Sequence, residues 1–303
     1  MFLVAVIIDS ALGELPSRIH PVVWMGRAIS FFSRRLPRDG VAALLCGALL
    51  AVGLIAAFVS ATTLLLESLV RVGQWPRFVA EVLVLQSTFS VALLLDEVRR
   101  TASVLASGDL TLARRELHHL CSRDPSDLDQ EEVGSAALSS LFENSVDSFL
   151  APWMFWIVLG VPGAVGYRVL NTLDAMVGYR GEFERLGKAS ARLDDLANWI
   201  PARLSVPVLA TAGSLRSLPW KSALATVKRD RGRTPSPNGG IPMAMGAGLL
   251  SVRLVKPGAY VLNAGGRAVL PQDLLRGCQV VGAAAWLGAV ATLLAALCCR
   301  ELP

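Results

Sequence analysis

Glu143, Asn144 and Asp147 sit together in the stretch LFENSVDSFLAP, with the two carboxylates four residues apart. Residues three or four apart share one helix face, so both acids point one way. Leu141, Phe142, Val146 and Phe149 flank them, which predicts a partly buried site. Two carboxylates and an amide suit a hard cation such as Mg2+, which takes oxygen ligands and keeps waters for a nucleotide's phosphates. A second polar series runs through Asn171–Arg203. Asn171 and Asp174 are three apart; Arg192, Asp195 and Asn198 repeat every three; Asp194 stands four before Asn198. Short Asp and Asn side chains alternate there with Leu, Ala, Met and Trp, unlike the long Lys and Glu of a solvated helix. The pattern predicts a polar seam turned toward the protein interior. A third group is the basic run Lys221, Lys228, Arg229, Arg231 and Arg233 around Asp230. It reads either as a loop among solvent and lipid headgroups or as a phosphate site, since Arg forks match phosphate oxygens. On the second reading Arg229 and Arg231 carry it. The turn TPSPNGG follows, and its glycines allow close backbone approach.

The elements that must position these groups are mostly apolar. Hydrophobic residues make up 53% of the 303, charged ones only 17%, and mean hydropathy is +0.51, outside the soluble range. The net charge of +5 comes from scattered bases without interleaved aromatics, which argues against nucleic acid. Five cysteines show no metal-ligand spacing. The opening MFLVAVII has no basic lead and is followed by Asp9, so it does not read as a secretory signal. Val41–Leu66 carries no charge and would reach about 39 Å as a helix, more than a ~30 Å hydrocarbon core. Spans are expected at 41–66, 78–95 and 278–299. Polar, motif-bearing regions are expected at 96–148, 166–203 and 219–240. Asp127 or Asp129 should cap a helix starting near Gln130, and the small residues of Ile241–Val252 suit close helix packing in a membrane. His118 and His119 are adjacent, so they cannot chelate from one helix face. The fold class is therefore all-α: a polytopic integral membrane helical bundle, multi-pass in the cell membrane, with residues 1–303 as a single embedded domain.

Six stretches, in order, resemble the cobinamide-phosphate synthase family of cobalamin biosynthesis: HPVVWMG, SRDPSDL, ENSVDSFLAP, NTLDAMVGYR, SARLDDLANWIPARL and SPNGG. The resemblance implies a membrane enzyme that joins adenosylcobyric acid, a corrinoid substrate, to aminopropanol phosphate through an amide, with ATP and Mg2+ as expected cofactors. It adds His20, Trp24 and Asn238 as substrate contacts. The chain departs from the family pattern at Gly13-Glu14-Leu15-Pro16, where the family has Gly-Asp-Pro. It also has Ile241, Pro242 and Met243 where an acidic residue is usual.

On this reading Glu143, Asp147 and Asp174 serve the metal and its water, and Asp194 or Asp195 accepts a proton. Asn144, Asn171 and Asn198 orient substrate groups, while Arg192, Arg203, Arg229 and Arg231 meet phosphates. Implied partners are membrane lipid and either a second copy of the chain or other membrane enzymes of cobalamin assembly. The alternative class is a transporter or an ion-responsive membrane signalling protein, because charges at a helix centre cost roughly 2.5–3.5 kcal/mol and usually mark a pathway. No internal repeat supports it. The short apolar pieces 151–165 and 204–215 each contain proline and adjoin basic segments, so both are expected to re-enter or to lie buried against the spanning helices rather than cross. That topology would bring Glu143, Asp147, Asp174 and Asp195 to one cytoplasm-facing cavity.

Overall fold

In chain order the helices are α1 (Phe2–Leu12), α2 (Pro21–Ser33), α3 (Gly40–Val72), α4 (Gln74–Gln86), α5 (Val91–Ser107), α6 (Leu110–Leu117) and α7 (Gln130–Ser145). A π-helical turn, Val146–Leu150, leads into α8 (Ala151–Val177). There follow α9 (Lys188–Ala197), α10 (Trp199–Ser214), α11 (Trp220–Asp230), α12 (Gly240–Leu250), the hairpin β1 (Leu254–Lys256) and β2 (Tyr260–Leu262), and α13 (Pro271–Arg300). This is a computed structural model, and it describes residues 1–121, 124–179 and 181–300. Ser122 and Arg123 of SRDPSDL and Arg180 of the seam lie outside the described residues, as does the side chain of Cys299.

Among the described residues four helical segments are long and apolar enough to cross a membrane: Gly40–Val72, Gln74–Ser107, Gln130–Val177 and Pro271–Cys298. The protein is an all-α polytopic membrane protein, as its composition requires. The expected spans at 41–66 and 278–299 fall inside α3 and α13. The 78–95 run is divided between α4 and α5, because Ser87 and Thr88 turn their hydroxyls back to the carbonyls of Val84 (2.7 Å) and Leu85 (2.6 Å). Such local bonds compete with the helix ladder.

The stretch 151–165 is broken, as its prolines led one to expect: within α8 the backbone leaves the helical region at Gly160 (φ 68°), two residues before Pro162, a conformation glycine adopts without strain. The helix resumes beyond the kink and runs to Val177, carrying Asn171 and Asp174. The 204–215 stretch lies in α10, whose 16 residues enclose Pro207.

The chain divides into two compact units. The first comprises Met1–Ser90, Ala151–Asn198 and the chain from Thr292. Its core is built from residues at helical spacing: Met25 and Ile29 of α2, Leu50, Ala51 and Leu54 of α3, and Val165, Val169, Leu173 and Val177 of α8. In lipid an apolar side chain gains little by leaving one hydrocarbon surface for another, so helix contact rests on close fit. Gly166 supplies that fit, since a Cβ there would lie 3.1 Å from Val59.

The second unit comprises Val91–Leu150 and Trp199–Ala291. Here α7 starts at the expected cap: Asp129 accepts from the Glu132 N–H (2.8 Å) and Glu132 returns the bond to the Asp129 N–H (2.9 Å). All of α12 is buried, and the Phe142 ring occupies the space a Cβ at Gly246 would need. The small-residue packing expected of 241–252 is thus realised. The β1–β2 hairpin is held to α7 through Ser135, whose hydroxyl bonds the Val255 backbone, and its lead-in Arg253 grips Glu131 (2.7 and 3.0 Å).

Candidate functional site

In the first unit the polar residues form two connected groups. His20 caps α2, its Nδ1 accepting from the Val22 N–H (3.2 Å), and its Nε2 lies 3.8 Å from Glu14. Glu14, displaced from the family's usual acid position, thus still reaches the histidine. Burial holds the His20 pKa below its ordinary 6.5, with Glu14 opposing and Arg168 adding to the shift. Arg168 also approaches Asn171 (3.4 Å). Trp24 is half exposed and donates to the Arg18 carbonyl (3.3 Å). A histidine kept neutral by folding makes stability pH-dependent. Its contribution is whole above the unfolded pKa and is lost as pH falls below about 6.5 toward the lowered folded value. His20→Asn keeps a capping side chain without the titration. Melting curves of this variant between pH 7.5 and 5 should therefore fall less steeply than those of the native chain.

The second group is a relay: the Tyr167 hydroxyl donates to Asn198 Oδ1 (2.9 Å), and Asn198 Nδ2 donates to Asp194 Oδ2 (2.9 Å). Tyr167 and Asn198 are both buried. Because the tyrosine donates, the amide oxygen must face it and the NH2 must face Asp194. Asp194 is therefore held by a neutral donor. Of the series Arg192, Asp195 and Asn198, only Asn198 is buried; Arg192 is exposed and Asn198 turns to Asp194 instead. Asp174 lies near enough to Asp195 for the two carboxylates to repel. Gly178 makes room for Asp174: any Cβ there would strike its Oδ1.

In the second unit the SPNGG loop is the organiser. The Ser236 hydroxyl accepts from the N–H groups of Asn238 (3.2 Å) and Gly239 (3.3 Å), setting the entry to α12. Asn238 Oδ1 receives a bond from Arg203 (3.3 Å), whose guanidinium also bonds the Trp199 carbonyl (2.7 Å) and lies 4.0 Å above the Trp199 ring. Burial, then the nearby charge of Arg231, lowers the Arg203 pKa. Gly239 backs directly onto Glu143, where a Cβ would strike the carboxylate, and Gly240 backs onto the Arg231 carbonyl. The Glu143 carboxylate, the Arg203 guanidinium, Asn238 and the backbone of Arg231 thus meet at one loop. Asn144 faces away to Ser140 (3.1 Å), and Asp147 lies in the π-helical turn, a feature frequent at functional sites.

Arg229 is committed elsewhere. Its Nε and Nη2 take both oxygens of the fully buried Asp230 (3.0 and 2.9 Å), which also pairs with Arg233 (3.2 Å) and accepts from the Asn263 N–H (2.7 Å). Burial opposes the Asp230 charge, but these donors together hold its pKa below the usual range. The Arg229 fork expected for phosphate is a structural clamp. Asp230 was visible only as a lone acid in a basic run.

Among the described residues no three His, Cys, Asp or Glu groups gather as a metal site. Mg2+, however, is usually held by one or two carboxylates with substrate phosphates completing the shell. Glu143 beside Gly239, with Asp147 in the π-helical turn that follows, offers carboxylates of that kind. Asp174 belongs to the other unit.

The family model described as CobD/Cbib protein matches residues 2–296. A "Probable cobalamin biosynthesis protein CobD" of Methanothermobacter thermautotrophicus is 40% identical over 264 residues, 87% of this chain and 86% of the relative. A "Cobalamin biosynthesis protein CobD" of Dehalococcoides mccartyi is 38% identical over 282 residues, 93% of this chain and 91% of the relative. One of the same name in Rhodobacter capsulatus is 39% identical over 293 residues, covering 91% and 90%. No solved structure matches the chain.

Proposed function

The chain belongs to the CobD/Cbib family, and on that premise we propose that it joins adenosylcobyric acid to (R)-1-amino-2-propanol phosphate by ATP-dependent amide ligation in the cytoplasmic membrane. Cobalamin biosynthesis is the coarser function that the family carries. The finer chemistry rests on one observation: Arg203, bonded to Asn238 beside the Gly239 that abuts the Glu143 carboxylate, feels the charge of a second guanidinium, that of Arg231. Two cations kept this close are offset best by an anion between them. Both nucleotide and amine phosphate provide one with bidentate geometry.

A carboxylate and an amine condense in water only after the acid is activated, and ATP supplies that as an acyl phosphate with release of ADP. The amine then forms the C–N bond, phosphate leaves, and the ammonium proton must go to a base. Arg203 and Arg231 bind and orient phosphate oxygens, and Asn238 fixes Arg203. Glu143 and Asp147 would hold Mg2+, which neutralises phosphate charge when bound. Asp194, fixed by Asn198 and Tyr167, is the proton acceptor of this reading. His20, Asn171 and Arg192 contact the corrinoid or the amine. The test is product formation by detergent-solubilised protein from adenosylcobyric acid, amine phosphate and Mg-ATP. Flux of a corrinoid into sealed vesicles without that product would replace the ligase with a transporter.

Because Arg229 clamps Asp230, Arg229→Lys should leave KM for ATP and amine phosphate within about twofold while lowering the melting temperature, since Lys cannot make the bidentate bond. A KM raised tenfold at unchanged stability would return Arg229 to the phosphates.

A further inference from the structure

The face of α2 turned away from the core has a composition that neither the fold nor the ligation uses. Met25, Ile29 and Ser33 repeat every four residues and are buried, Met25 and Ile29 within the α2–α3–α8 core. The rest of the helix surface exposes Trp24 (47%), Phe31 (53%) and Phe32 (43%), with Ile19 (55%) just before it. Three large aromatics on one short helix would be costly against water. Interleaved with them are Arg27, Arg34 and Arg35, which with Val23, Gly26, Ser30, Phe31 and Met176 line a groove of about 480 Å³. Among the described lining residues none is acidic. Arg35 is set in place by its bond to the Phe31 carbonyl (2.7 Å) and by stacking 3.8 Å over the Phe31 ring.

Amphipathic rings and arginines that snorkel from apolar surroundings toward headgroups are both at home in the membrane interface, rings toward the acyl chains and bases toward the phosphates. The position agrees: α2 ends at Ser33, shortly before α3 begins at Gly40 as a candidate span. The basic residues Arg34, Arg35 and Arg38 fall in this interval, where a positive loop meets the anionic leaflet.

We propose that α2 lies in the membrane interface and that the Arg27–Arg34–Arg35 groove binds the headgroup phosphate of an anionic phospholipid. Three guanidiniums, none with a carboxylate partner among the described residues, and the Ser30 hydroxyl supply the phosphate donors, and Phe31, Phe32 and Trp24 contact the chains. A free phosphate would use the donors but leave the aromatic face in water, which is why the lipid is the occupant. This inference does not depend on the ligation reading.

The test places the full chain in nanodiscs of phosphatidylcholine with or without phosphatidylglycerol, then counts retained lipid by native mass spectrometry. Native protein should keep phosphatidylglycerol in preference to phosphatidylcholine. Each arginine at an anionic surface weighs about fivefold, so Arg27→Gln/Arg34→Gln/Arg35→Gln should lose roughly a hundredfold in retention. The Arg→Lys triple, which keeps charge, should stay within about tenfold of native; it keeps the comparison decisive if the Gln set is unstable. Equal retention of the two lipids, or a Gln triple that retains phosphatidylglycerol as the native chain does, overturns the proposal. So does displacement of the lipid by millimolar inorganic phosphate, which would make the groove a free-anion site.

Discussion

Asp147→Asn is expected to reduce ligation by about a hundredfold or more while leaving membrane insertion and melting temperature unchanged. The amide keeps the carboxylate's shape and its place in the π-helical turn but loses the charge that a hard cation needs. Outer-shell substitutions at metal sites alone cost about 10- to 100-fold in affinity or activity, so loss of a direct ligand sets at least the upper end of that range. Raising Mg2+ should recover part of the rate, because weaker binding is offset by concentration. A variant with native turnover at ordinary Mg2+ would remove Asp147 from the site.

The second large effect is expected at Asp194. In Asp194→Asn the new amide can turn its oxygen toward Asn198 Nδ2, so the Tyr167–Asn198 relay persists and folding is kept. What disappears is the proton acceptor, and general-base catalysis is worth roughly 10²- to 10⁴-fold. The loss should fall on kcat, with KM for ATP and amine phosphate near native values. An Asp195→Asn variant made alongside decides between the two acids. If Asp195→Asn carries the larger kcat loss, the base is Asp195 and the relay through Asn198 is structural.

Much of the architecture was legible because it follows from local rules. The uncharged runs of α3 and α13 exceed a bilayer's thickness, and Asp129 with Glu132 spells a helix start in four letters. What was not legible depends on partners distant in sequence. Tyr167 sits in GVPGAVGYRVL and reads as core. Its bond to Asn198, thirty-one positions on, gives it a role in the relay. Arg229 looked available for phosphate because a basic run says nothing of which bases one buried acid will claim. The break in α8 was legible in Pro162, but not that the helix would resume beyond Gly160 and carry Asn171 and Asp174, because in a bundle the backbone groups freed at a break can be satisfied by neighbours. The carboxylate contacts of Gly178 and Gly239 were hidden too, since a glycine's spacing does not reveal what presses against it.

The complete burial of α12 bears on how the gene can vary. On α3 the outward positions Val41, Leu45, Leu49 and Val52 face away from protein, while Ala43, Gly47, Leu50, Ala51 and Leu54 face in. Substitutions along α3 should accordingly be accepted and refused with the period of the helix, any apolar side chain serving on the outward stripe. Gly240–Leu250 has no outward stripe: all 11 residues are covered, and Gly246 and Gly248 are filled by Phe142 and by Ala223 with Thr226. A saturation library should therefore show no period in α12, with intolerance set by side-chain volume at every position. Drift in this segment would then require paired changes on α7 or α11, and a single larger residue would be refused however apolar it was.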